Sequence, residues 1–173
     1  ILQSYGLEPG SKVAIVSKNC AHWIIADLAV MMAGYISVPI YPNVNAETLN
    51  YVLKHSEAKI LLVGKLDDWN FMKEGVPAGV RCISFPWYGP RQEGFDYWED
   101  LKTKHKPLTG YPKRNIDDIM TIIYTSGTTG NPKGVVHSFK NFAWAIKTGR
   151  EVFGFKDGED RLFSYLPLSH IAE

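Results

Sequence analysis

The sequence predicts an α/β protein built on a mostly parallel sheet with flanking helices. Short apolar, β-rich runs recur along the chain, and helical patterns of about ten to fifteen residues separate them, which is the alternation of a parallel sheet. Cap and stop residues punctuate these segments, with Asn before the helices and Gly after the helices and strands. The composition, 45% hydrophobic and 13% aromatic over 173 residues, supplies a core for one ordinary domain or a large piece of one.

Each element has its local reason. SKVAIVS (11–17) follows the turn residues Pro9-Gly10 and reads as a strand. Asn19 is placed to cap a helix over 20–33, which Gly34 ends. YISVPIYP (35–42) returns as a strand. Asn45 is placed to cap a second helix over 46–57, with Glu47 favoured in its first turn by the helix dipole. AKILLVG (58–64) is a strand closed by Gly64, LDDWNFMKEG (66–75) a short helix, and VRCISF (80–85) a fourth strand. Residues 85–115 are rich in Pro, Gly and aromatics and read as a long connection with one helical piece over 97–102. DIMTIIYTS (118–126) is an apolar strand, KGVVHS (133–138) a short β-like run, FKNFAWAIKTGREVF (139–153) a helix, and RLFSYLPLSH (161–170) a last strand. This divides the chain into an alternating region (1–84), a connection (85–115) and a region around the Gly/Thr loop (116–173).

Several function classes drop out. The net charge of +1 gives no electrostatic case for nucleic acid. Lys102, Lys104, Lys106, Lys113 and Arg114 tempt as an anion patch, but Asp96, Glu99, Asp100, Asp117 and Asp118 flank them, as on a solvated surface. Cys20 and Cys82 make neither a disulfide framework nor a zinc site and suit a reducing compartment. Residues 23–40 reach the length of a membrane span, but Asp27, Gly34 and Pro39 interrupt them, and a buried helix followed by a buried strand is the better reading. The start of the chain has no signal-peptide pattern and does not begin with Met. The end, LPLSHIAE, stops inside an apolar pattern. Both ends look cut, so a fragment of a longer protein is expected.

The chemistry concentrates in YTSGTTGNPKGVVH (124–137), directly after an apolar strand. Thr125, Ser126, Thr128 and Thr129 offer hydroxyls, while Gly127 and Gly130 allow positive φ and close approach of a ligand to the backbone. Successive N–H groups in such turns bind anions, hydroxyls can ligate Mg²⁺, and Lys133 adds a mobile cation. The set is a polyphosphate cradle. It is not a Walker A loop: Gly130 stands three residues before Lys133, and Pro132 and Gly134 oppose a helix there. A polar surface hairpin would explain the glycines but not the hydroxyls with a Lys.

YTSGTTGNPKGVVHS resembles the phosphate-binding signature of the adenylate-forming superfamily, which includes acyl-CoA synthetases, firefly-type luciferases and peptide-synthetase adenylation domains. MMAGYISVPIYP (31–42) resembles an early segment of that family, and YLPLSHIAE (165–173) a segment carrying a substrate-site His, with wording most like long-chain fatty acid–CoA ligases. The resemblance covers essentially the whole chain. It implies part of the large N-terminal AMP-binding domain of an enzyme that uses ATP, Mg²⁺ and coenzyme A to convert a fatty acid to an acyl-adenylate and then a thioester. It implies that Thr125, Ser126, Gly127, Thr128, Thr129 and Gly130 hold the β- and γ-phosphates. Thr125 would be the metal ligand, Lys133 would orient phosphate, and His170 would stand near the acyl carboxylate. His137 has a weaker claim; His22, His55 and His105 read as surface or helix residues, Asp27 as a helix-face contact, and Tyr124 as packing beneath the loop.

The resemblance also implies that the ribose-binding Asp, a magnesium-holding acidic residue, the hinge and the catalytic Lys of the small C-terminal domain lie beyond Glu173, as do the adenine pocket and most of the acyl tunnel. The chain alone is therefore expected to be catalytically incomplete, with a mobile loop. A cytoplasmic protein is expected, with room for peripheral contact with a membrane. Two alternatives stay open: a ligase or adenylation module for another carboxylic acid, and a non-catalytic phosphate-binding domain.

Overall fold

The structure, a computed structural model, describes residues 1–125, 130–156, 158–161 and 164–170. Among these, seven strands form one sheet in the order β5-β4-β3-β1-β2-β6-β7. They are β1 (Lys12–Val16), β2 (Ile36–Ile40), β3 (Ile60–Val63), β4 (Arg81–Ser84), β5 (Asp96–Tyr97), β6 (Ile119–Thr125) and β7 (Lys133–Ser138). The first six run parallel; β7 folds back antiparallel on β6. Four α-helices accompany them: α1 (Ala21–Met32), α2 (Ala46–Ser56), α3 (Trp98–Lys104) and α4 (Phe139–Phe153). The predicted fold class is therefore present.

The two-residue period of the strands splits the core in two. From β1, Ala14 and Val16 face α2, where Leu49, Val52 and Leu53 are fully buried. Val13 and Ile15 face α1 and meet Trp23, Ala26 and Val30. Covering both faces is what lets these strands be almost continuously apolar. At the carboxyl end of the sheet the packing leaves no room for a side chain at Gly64: a Cβ there would overlap the Ser17 side chain and the Phe85 ring. The Ser17 hydroxyl accepts from the Lys65 N–H at 2.8 Å and donates to the Lys18 carbonyl at 2.8 Å, so the ends of β1 and β3 are tied together.

Four expectations are corrected. First, Asn19 does not cap α1. The N-cap is Cys20 and makes no side-chain cap bond. By contrast Asn45 caps α2 as expected, accepting from the Thr48 N–H at 2.8 Å. Second, residues 66–75 form two 3-10 turns, Trp69–Phe71 and Lys73–Gly75, rather than an α-helix. The Asp68 carboxylate takes the Asn70 N–H at 2.8 Å, a local bond that competes with helix, and Gly75 sits so close to Ala46 that a Cβ would overlap its carbonyl. Third, the long connection contains β5, whose two residues are too few to show a period. Fourth, no strand appears among the described residues of 161–170, because the backbone groups of Leu166 and Leu168 are met by a side chain and not by a neighbouring strand.

The surface reading of the basic cluster agrees with the pairs observed. Lys102 pairs with Glu99 at 2.8 Å, and Arg114 with Asp118 at 3.2 Å. Among the described residues no helix is long and apolar enough to cross a membrane.

Candidate phosphate-binding site

The site is built on the hairpin of β6 and β7. Strand β6 leaves the sheet at its carboxyl end, where loops of a parallel sheet gather ligands. Its last buried residue is Tyr124, and its next, Thr125, is exposed. The return strand begins at Lys133, directly opposite Thr125, with Gly134 opposite Tyr124. Directly opposed residues of an antiparallel pair project on the same face, so the Thr125 hydroxyl and the Lys133 side chain flank one mouth.

Gly134 has a packing reason. A Cβ there would stand 3.0 Å from Ile122 Cγ2 and 3.1 Å from Tyr124 Cζ, so a larger residue would have to displace these side chains for β7 to lie over the tyrosine ring. Gly130 has a conformational one, with φ at +129° and nothing near its Cβ position. Ser126, Gly127, Thr128 and Thr129, the centre of the predicted cradle, lie outside the described residues.

The base of the loop is anchored from below. The Tyr124 hydroxyl is 2.7 Å from His55 Nδ1, and Tyr51 stacks on the same imidazole with ring centroids 5.3 Å apart. Burial, first, and the neighbouring Tyr51, second, raise the Tyr124 phenol above its ordinary range, so it remains a neutral hydrogen-bonding group. Tyr124 thus packs beneath the loop as expected. His55, read from sequence as an ordinary helix residue, is its partner; the contact spans 69 positions and leaves no local signal.

Lys133 is exposed and makes no ion pair among the described residues. An uncompensated cation beside a hydroxyl and a positive-φ glycine suits an anionic ligand that carries several oxygens. Among the described residues no group of three His, Cys, Asp or Glu side chains could hold a metal. Thr125, exposed at the end of β6, offers one hydroxyl oxygen of the kind that magnesium accepts.

His170 is not on the hairpin. It ends a turn in which its N–H donates to the Pro167 carbonyl at 2.8 Å, and its side chain is exposed while Ser169 is buried. The preceding residues are held by Asn19, which follows the carboxyl end of β1. Strand β1 stands two strands from β6, about 10 Å along the same edge. His137 lies within β7, half-buried, edge-on to Phe142. His22 sits in an aromatic set with Trp87 and Trp98 at 5.4 and 5.8 Å. His105 approaches the Ser4 hydroxyl at 3.5 Å. The Asp27 carboxyl, on α1, is raised by burial.

Known proteins share this chain's sequence and fold. It is 32% identical over 183 residues to the long-chain-fatty-acid–CoA ligase ACSBG2 of Xenopus laevis, covering 96% of this chain and 24% of that protein. It is 33% identical over 178 residues to the long-chain-fatty-acid–CoA ligase FadD15 of Mycobacterium bovis, covering 98% of this chain and 29% of that protein. The chain thus spans less than a third of these relatives. Among solved structures, a long-chain-fatty-acid CoA ligase described as putative from Rhodopseudomonas palustris superposes with a TM-score of 0.80 at 26% identity, over 98% of this chain and 42% of that one. The O-succinylbenzoate coenzyme A synthetase of Bacillus subtilis, solved in complex with AMP, gives 0.79 at 25% identity, over 99% and 40%. Residues 1–173 match the sequence pattern of one family along their whole length, and the chain belongs to the AMP-binding enzymes.

Proposed function

We propose that this chain is part of the large N-terminal domain of an ATP-dependent fatty acid–CoA ligase, and that the β6–β7 hairpin is its polyphosphate-binding element. The observation that carries the reading is the hairpin mouth: exposed Thr125 opposite Lys133, which has no carboxylate partner among the described residues, bracketing a Ser/Thr/Gly loop. The family supports ATP as a substrate, and the relatives named above are long-chain ligases.

In the first half-reaction the fatty acid carboxylate attacks the α-phosphorus of ATP, and pyrophosphate leaves. Negative charge builds on the leaving oxygens as the bond breaks. The N–H groups and hydroxyls of Thr125, Ser126, Gly127, Thr128, Thr129 and Gly130 hold the β- and γ-phosphates, and Lys133 meets the developing charge. The Thr125 hydroxyl would hold a magnesium ion, which would supply further neutralisation of that charge. The Tyr124–His55 bond fixes the base of the hairpin at the end of β6. His170 stands by the acyl carboxylate and helps place it in line. Coenzyme A then takes the acyl group as a thioester. These later steps need parts of the enzyme that this chain does not supply, and the 173-residue chain is inactive by itself.

The test is ATP–pyrophosphate exchange by the full-length protein with palmitate, acetate, an aromatic acid, or no acid. Exchange only with palmitate is expected. Exchange with a different acid keeps the chemistry and replaces the substrate. No exchange with any acid overturns the reading in favour of a non-catalytic phosphate-binding domain.

A further inference from the structure

Asn19 makes the longest-range side-chain bonds in the described structure, and they lead to His170. Its Nδ2 donates to the Leu166 carbonyl at 2.7 Å, 147 positions away. Its Oδ1 accepts from the Leu168 N–H at 2.9 Å, 149 positions away. The carbonyl of one residue and the N–H of the residue two further on are the pair that a parallel strand neighbour would engage. The carboxamide therefore acts as a one-residue strand partner, straddling Pro167. Beyond it the chain has little freedom. Leu168 packs against the α1-side core, Ser169 is 2% exposed, and the His170 N–H closes the turn onto the Pro167 carbonyl. His170 then emerges exposed. Asn19 stands one residue before the N-cap, Cys20, and α1 has no side-chain cap bond; both hydrogen-bonding arms of the Asn19 amide are committed to the distant segment.

We propose that Asn19 is a positioning residue that sets the location of His170 relative to the carboxyl end of the sheet, and so couples the first βα connection to the acyl end of the site. The proposal rests on the reading of His170 given above. A displacement of a substrate-facing group by about 1 Å can cost on the order of 10²-fold in rate, so loss of this bracket should be visible in turnover.

The experiment is a double-mutant cycle in the full-length ligase, measured as palmitate-dependent ATP–pyrophosphate exchange, with Asn19→Ala, His170→Ala and both together. Asn19→Ala should lower kcat/KM for palmitate about 10- to 100-fold, with KM for ATP changed less than about two-fold. The double variant should be no slower than His170→Ala alone by more than about two-fold. If His170→Ala is impaired and Asn19→Ala is not, the bracket has no function and the proposal fails while the reading of His170 stands. If the two losses multiply, Asn19 acts through general folding and the proposal also fails. If His170→Ala exchanges at the wild-type rate, the reading of His170 falls and takes the proposal with it. Should Asn19→Ala not fold, the same cycle is run with Asn19→Asp, which keeps the acceptor for the Leu168 N–H and loses only the bond to Leu166.

Discussion

Lys133 and Cys82 show how differently two reactive side chains are treated by their surroundings. Lys133 is exposed, stands between Pro132 and Gly134, and has no carboxylate partner among the described residues. A group so placed contributes little to the fold and is available to a ligand. Lys133→Ala in the full-length enzyme should therefore slow adenylation by about 10²-fold while changing stability by less than about 0.5 kcal/mol. Pyrophosphate exchange and thermal melting measured side by side check this, and an unchanged exchange rate removes Lys133 from the mechanism. Cys82 lies on β4, 5% exposed, and burial pushes its thiol up to about 12. Only about 10⁻⁴ of it is thiolate at pH 8. Cys20, at the head of α1, is half-exposed. Maleimide at pH 8 should modify Cys20 in the folded chain and leave Cys82 intact until denaturant is added. Mass spectrometry of the labelled peptides decides it, and rapid labelling of Cys82 under native conditions would mean that β4 opens readily.

Two asparagines, each just before a helix, mark what sequence can and cannot reveal about elements. Asn45 satisfies the Thr48 N–H, and its role is local, so the pattern of the next few residues is enough to read it. Asn45→Ala should cost about 1 kcal/mol, seen as a lower denaturation midpoint with an unchanged slope; an unaltered midpoint would mean that tertiary packing alone holds α2. Asn19 has the same local context, but its amide is claimed by residues 147 and 149 positions away, and nothing within one helical turn announces that. The same long-range bond explains why an apolar run near the end of the chain reads as a strand but forms none among its described residues. The strands that are buried on both faces, β1 to β4, were legible because most of their length is apolar. The two strands of the hairpin and its Gly, Thr and Lys residues were legible because they are neighbours in sequence; the antiparallel pairing of β6 with β7 was not read. The Tyr124–His55 anchor beneath it was not, since His55 sits on α2 with the spacing of any exposed helix residue.

On the scale of the whole molecule, the apolar surface left uncovered is large for a chain of this size. On α1, Ile24, Ile25, Leu28 and Met32 are each 45–52% exposed, although the opposite side of the same helix is fully buried. On α4, Trp144, Ile146, Val152 and Phe153 are 61–72% exposed, and the helix buries no residue. Each half-exposed side chain forgoes roughly 1 kcal/mol of burial, and a grouped patch such as the one on α1 marks a surface that other protein covers. Helix α4 follows directly from β7, so the hairpin that carries Thr125 and Lys133 is braced on one side only, by β2. A hairpin held that way offers a ligand few fixed neighbours, and the cost of holding its groups in place falls on the binding energy. The chain spans 24–29% of its ligase relatives, and one mobile cation with a few hydroxyls is a small set of contacts for a nucleotide. The 173-residue chain should therefore bind MgATP with a Kd above roughly 100 μM, weaker than about −5.5 kcal/mol, while the full-length enzyme binds it at least tenfold more tightly. Isothermal titration of both proteins under one buffer measures the difference. A low-micromolar Kd for the chain alone would show that these residues suffice to hold the nucleotide.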